Sequence, residues 1–237
     1  MTNFHFITYA THSQGTFNEL INNKYNIPIK VLGWDTKWTG FMDKFKEMYS
    51  YIKTLPDEDV VFFIDGFDSV INQPLDVIKE RFYELNSDII LSLDMPISID
   101  YINKQIFGTC KKDLIVNSGL YCGYNKDIQK LLKYILDKNY SSDDQRNLNE
   151  SCKYFDNILI DHEQKLFNNL NYYDRYFNDK TESCFISVPG NLTFNRIIRV
   201  PGEYLPFIWK ECILIILLTC ITIYLYKKRA KFLNIIK

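Results

Sequence analysis

The sequence has no surplus of charge of either sign. In 237 residues, 28 lysines and arginines stand against 29 aspartates and glutamates, a net charge of −1. That balance excludes nucleic-acid binding by bulk electrostatics. It also has no internal repeat and no low-complexity stretch, so solenoid and propeller arrays are excluded. No basic segment followed by a long apolar run opens the chain at Met1-Thr-Asn-Phe-His-Phe6, so this end does not read as a secretory signal. Cysteine is sparse, at six residues. Cys110, Cys122, Cys152 and Cys184 lack metal-type spacing, and the expectation is core or free thiols, with disulfides only in a lumenal domain. What is present is apolar: 46% hydrophobic and 16% aromatic residues. That composition suits one ordered domain with a sizeable core and excludes disorder for most of the chain.

Val60 to Ile64 is a continuous apolar run, rich in β-branched and aromatic residues, and reads as a strand covered on both faces. Around it strands and helices alternate. Phe4–Thr11, Ile27–Leu32, Asp88–Leu93, Val116–Gly123, Ile158–Ile160 and Cys184–Val188 read as strands. Thr16–Asn23 (with Thr16 as N-cap), Phe41–Leu55, Pro74–Leu85 and Asn125–Lys138 read as helices. In the second of these helices Phe45, Met48, Tyr49 and Ile52 share a face and belong to the core. Ser141–Gln145 reads as a loop. The β-α-β opening predicts an α/β fold on a mostly parallel sheet.

From Cys212 to Tyr226 the chain is almost wholly apolar and shows no polar face, and Lys227-Lys-Arg-Ala-Lys231 follows as a basic stop. A spanning helix needs about 20 apolar residues. Residues 204–226 therefore read as a transmembrane helix, which makes the chain a single-pass membrane protein with a basic tail at 227–237 and a domain at 1–203. The basic flank places the tail in the cytoplasm and the domain across the membrane; insertion as a signal-less tail anchor reverses this, so both topologies stand.

Polar residues collect at the predicted strand ends or in the loops beyond them: Thr11, Asp65, Asp68, Asp94, Asn117, Asp143, Asp144 and Asp161. Ligands of open α/β sheets bind outside the carboxyl ends of the strands. Asp65 and Asp68 at one such end have the spacing and chemistry to hold a divalent cation by oxygen, and a cation there holds a diphosphate. A bare D-x-x-D equally starts a turn or caps a helix.

Several segments, taken together and in order, resemble the glycosyltransferase domain of procollagen lysyl hydroxylases, including the stand-alone collagen-type glycosyltransferases of large DNA viruses. They are Ile7-Thr-Tyr-Ala-Thr11, Val60–Val70, Val116-Asn-Ser-Gly-Leu-Tyr-Cys-Gly123, Asp143-Asp-Gln145, and Ile160-Asp-His162 through Phe167-Asn-Asn-Leu-Asn171. The resemblance implies a GT-A-like, Rossmann-type fold, a UDP-sugar donor and Mn²⁺ or another divalent cation. By the same resemblance Asp65 and Asp68 bind the metal, Trp38 stacks on uracil with Thr11 at its edge, and Lys44 lies near the phosphates. Phe67 stands where the family has a tyrosine near the ribose. Asn117, Asp143 and Asp144 serve the sugar and acceptor side, and Gly190 and Asn191 approach the diphosphate. The implied reaction moves glucose or galactose to a hydroxyl, with hydroxylysine of a collagen-like protein as the suggested acceptor. One departure stands out: the family has a metal-binding histidine where this chain has Pro189, which has no ligand atom. The alternative is therefore a degenerate module that binds nucleotide or glycan without turnover.

Overall fold

The computed structural model describes residues 2–94, 100–170, 181–189 and 194–235. The chain divides into two units, Met1–Asn191 and Leu192–Lys237. In the first, a six-stranded sheet has the order β2-β1-β3-β6-β5-β7. Its strands are β1 (Phe4–Tyr9), β2 (Ile29–Leu32), β3 (Val60–Ile64), β5 (Ile89–Leu93), β6 (Val116–Tyr124) and β7 (Ile158–Asp161). A second sheet of three short strands has the order β4-β9-β8, from Ser69–Ile71, Phe185–Ser187 and Phe167–Asn169.

β3 is buried along its whole length, and its side chains alternate between two cores. Val61 and Phe63 enter one core, with Phe45, Met48 and Ile52 from α2 (Asp43–Ile52) and Ile128, Leu131 and Ile135 from α5 (Asn125–Lys138). Val60, Phe62 and Ile64 enter the other, with Ile78 and Phe82 from α3 (Leu75–Leu85) and with Phe167 and Phe185 from the small sheet. The Phe62 ring lies 5.4 Å from Phe185 and 6.3 Å from Phe167, so this strand joins the two sheets. Burying each such ring stabilises the fold by about 1.5–3 kcal/mol.

β6 runs antiparallel to β3 and to β5, whereas β1–β2, β1–β3 and β5–β7 are parallel. This reversal carries the start of β6, not its end, to the carboxyl edge of β3 and β5. Asn117 pairs with Ser92 across the β5–β6 ladder, and Gly119 O accepts Asp65 N–H at 2.7 Å.

Three sequence expectations are corrected. Thr16 does not cap α1 (Phe17–Ile21) with its side chain; its hydroxyl donates to Ser69 O at 2.9 Å, tying the helix start to β4. The polar Ser141–Gln145 stretch is not all loop, because Asp144 begins α6 (Asp144–Cys152) and Asp143 caps it, accepting Arg146 N–H at 2.7 Å. Cys110 and Cys152 are not free thiols but a disulfide, joining the turn after α4 (Asp100–Phe107) to the end of α6. β4, β8, α4 and α6 are elements that the sequence pattern did not announce.

In the second unit, α7 runs over Phe194–Ile235. Its segment Ile208–Arg229 is long and apolar enough to cross a membrane.

Candidate functional site

The site is built on the carboxyl edge of β3. Asp65 follows the last apolar residue, and its Oδ1 accepts Phe67 N–H at 3.0 Å, which turns the chain sharply. Gly119 of β6 lies directly against it: a Cβ there would meet Asp65 Cβ at 3.1 Å and Asn117 Oδ1 at 2.9 Å. Asn117 Oδ1 accepts Gly119 N–H at 2.7 Å. The glycine therefore lets Asp65 and Asn117 share one corner, and any larger residue would push them apart. Gly15 does a similar service on the other side of the turn. Its φ is +57°, and a Cβ would lie 1.9 Å from Phe67 O, the carbonyl that accepts Thr16 N–H.

Asp68 sits at the junction of the two sheets. Its Oδ1 accepts the hydroxyls of Ser187, at 2.9 Å, and Ser69, at 3.2 Å. Burial, and then the nearby Asp65 carboxylate, push its pKa up to about 7, against the pull of the two hydroxyls and Lys44. A carboxyl that titrates near neutrality beside a second carboxylate is short of positive charge. Two hard oxygen donors of that kind fit a divalent cation, which completes its shell with water or phosphate oxygen. Among the described residues no group of three His, Cys, Asp or Glu side chains is gathered to hold a metal. Asp65 and Asp68 alone are two such donors.

Lys44, from α2, enters the same region. Its Nζ pairs with Asp144 Oδ2 and donates to Ser118 Oγ at 3.3 Å, and Ser118 Oγ in turn donates to Asp144. Lys44 and Asp144 are 8% and 6% exposed, so the pair is enclosed. Burial alone would lower the lysine's pKa; Asp144, Asp65 and Asp68 together outweigh it, and the net shift is upward. Asp144 is held in register by its own helix. Asn149, one turn further along α6, clamps both backbone groups of Val116 at 2.8 and 3.0 Å.

Thr11 and Trp38 lie by the carboxyl edge of β1. Trp38 is 40% exposed, with its ring 5.8 Å from Tyr9 and 5.6 Å from Phe41. Thr11 O accepts Asp35 N–H at 3.1 Å, its hydroxyl is 2.9 Å from His12 Nδ1, and the His12 ring lies 5.4 Å from Phe67. Asp94 accepts Gln145 Nε2 at 3.1 Å. Asp161 is occupied structurally, accepting the N–H groups of Lys165, Leu166 and Phe167 at 3.0, 2.8 and 2.8 Å. Gly190 and Asn191 lie outside the described residues.

The structure thus gathers Lys44, Asp65, Asp68, Asn117 and Asp144 around one corner and sets Thr11, Trp38 and Phe67 along the neighbouring strand edge. Sequence reasoning missed four buried residues that complete the polar seam: Ser92, Ser118, Asn169 and Ser187. Asn169 Nδ2 donates to Ser92 Oγ and, at 2.7 Å, to Leu93 O, and Asn169 pairs with Ser187 in the β8–β9 ladder. The available signal was weak: small polar residues inside otherwise apolar strands.

The family described as the PLOD GT domain matches residues 1–209. The chain is also 26% identical, over 192 residues, to a multifunctional procollagen lysine hydroxylase and glycosyltransferase of Caenorhabditis elegans. That match covers 70% of this chain and 25% of the relative, so the chain spans about a quarter of that protein's length.

Proposed function

This chain belongs to the family of PLOD glycosyltransferase domains, and on that footing we propose that it moves a hexose, glucose or galactose, from a UDP-sugar to a hydroxyl acceptor. The observation that carries the reading is the corner where Asp65, Asp68 and Lys44 meet Asn117 and Asp144, a carboxylate pair and a lysine beside hydrogen-bonding groups suited to a sugar. The acceptor oxygen bonds to the anomeric carbon, the bond from that carbon to the UDP oxygen breaks, and UDP leaves with the electron pair.

Asp65 and Asp68 are the groups that would hold Mn²⁺ or another divalent cation. When bound, the cation neutralises charge on the departing diphosphate. Lys44 adds a fixed positive charge to the same region, beside the carboxylates. Trp38 offers an exposed ring for the uracil, with Thr11 at its edge, and Phe67 lines the ribose side without a hydroxyl. Asn117 spends its carbonyl on Gly119 and presents its amide to the donor sugar. Of Asp143 and Asp144, one takes the acceptor's proton or both fix sugar hydroxyls; the Lys44 pair and the Ser118 hydroxyl orient Asp144 for either task. The chain works from a single-pass anchor at Ile208–Arg229, and its acceptor is a hydroxyl-bearing protein of collagen-like kind.

The deciding measurement is UDP release from a panel of UDP-sugars with Mn²⁺ and with chelator. Turnover with one UDP-hexose, abolished by chelator and reduced about a hundredfold or more in Asp65→Ala, supports the reading; equal turnover in the variant overturns it. A second reading, binding without transfer, is favoured by Pro189, which has no ligand atom. It predicts UDP binding with no release of UDP from any donor.

A further inference from the structure

Asp68 is held by more than its own turn. Ser69 is its chain neighbour and would meet it in almost any fold. Ser187 is not: it is 119 residues away, ends β9, and is 1% exposed. It lies opposite Ser69 in the β4–β9 ladder, and its hydroxyl reaches Asp68 Oδ1 at 2.9 Å. The next residue reinforces the contact, because Val188 N–H donates to Asp68 O at 2.9 Å. Both donors fall on Oδ1 or the backbone, and Asp68 Oδ2 has no hydrogen-bond partner among the described residues. One oxygen of the carboxylate is locked while the other stays open.

From this arrangement we infer that Ser187 is a positioning residue for the divalent-cation site, orienting Asp68 so that its second oxygen is presented to the ion. The inference rests on the reading of Asp65 and Asp68 as the cation pair. It assigns to the end of β9 a contribution that the side chain of Pro189, two residues further on, cannot make. Groups that orient a ligating carboxylate typically change metal affinity 10- to 100-fold when removed. Ser187 also pairs with Asn169, which holds Ser92 opposite Asn117, so the strand that sets Asp68 is continuous with the polar seam reaching the sugar side.

The test is Mn²⁺ binding itself, measured by calorimetry or by loss of the free-ion electron-spin signal, on the full chain in detergent with no sugar present. Wild type is compared with Ser187→Ala, Ser69→Ala and Ser187→Cys, a near-isostere that donates only weakly. The expected result is 10- to 100-fold weaker Mn²⁺ binding in Ser187→Ala, several-fold weaker binding in Ser187→Cys, and a smaller loss in Ser69→Ala. Melting temperatures of the metal-free proteins separate a merely structural hydroxyl, whose loss lowers the melt and leaves affinity alone. If Ser187→Cys or Ser187→Ala folds and binds Mn²⁺ within twofold of wild type, the inference is overturned while the cation pair stands. If wild type itself takes up no Mn²⁺, the cation pair fails and the inference with it.

Discussion

Val60–Ile64 and Asp65–Asp68 adjoin in the chain and are opposite in what they ask of their surroundings. The five residues of the strand lie at 0–1% exposure and are satisfied by the chain alone, between helices on one face and the small sheet on the other. One residue later the demand reverses. Asp65 and Asp68 form a carboxylate pair with too little positive charge, so burial and mutual repulsion lift Asp68 to about 7. The first stretch is satisfied within the chain; the second carries unbalanced negative charge. The apolar run of α7 is the reverse of β3: Ile213–Leu218 stand 48–62% exposed, in a segment long and apolar enough to cross a membrane.

That contrast can be broken from the apolar side first. Phe62→Ala removes a ring that touches both sheets, and the cost should be about 3–5 kcal/mol, read as a lowered urea midpoint. Because Ile64 stays to anchor the rim, nucleotide affinity of the folded fraction should hold. Removing the cross-link comes next. Cys110→Ser with Cys152→Ser frees the far end of α6, and a loop of 42 residues predicts a loss of about 2–4 kcal/mol; wild type in reductant should match the double variant. Trp38→Ala tests the rim. Stacking of one base contributes about 1–3 kcal/mol, so UDP binding by calorimetry should weaken roughly tenfold, with the urea midpoint unmoved because the ring is already partly exposed.

The pH dependence is set apart by its sign. The folded chain retains a proton on Asp68 up to about pH 7, whereas the unfolded chain releases it near the ordinary 3.8. Metal-free stability should therefore fall as pH rises through that window and level off above it. Asp68→Asn should remove that slope, and Mn²⁺ should restore stability most strongly at the upper end. Urea midpoints at several pH values in wild type and variant measure this; a wild-type slope that persists in Asp68→Asn would assign it elsewhere.

Much of the apolar half was legible in the sequence. β3 and α5 have the bounds their patterns predict, and Phe45, Met48 and Ile52 are core as their spacing says. β4 and β8 escaped notice because three residues carry no period. α6 escaped because DQRNLNESC has a polar buried face: Asn147 and Asn149 point inward and are satisfied by hydrogen bonds, not by apolar contact. On the rim, the acidic pair and Asn117 announced themselves by residue type at a strand end. Ser118 and Ser187 did not, since a serine inside a strand is ordinary until its partner is known.

The sequence by itself determined which segments must be hidden from water, where strand β3 stops, and which oxygen-bearing side chains stand near its end, because hydrophobic period and residue chemistry are local properties. It also determined the apolar run that suits a membrane. Only the tertiary structure decided that β6 runs against its neighbours. That direction brings Asn117 and Ser118 to the edge that Asp65 occupies, puts Lys44 on Asp144, and, through β9, puts Ser187 on Asp68. The Lys44–Asp144 and Asp68–Ser187 pairings join residues 100 and 119 positions apart. Strand direction and sheet order are set by how the two apolar faces pack, and no local signal in the chain records them.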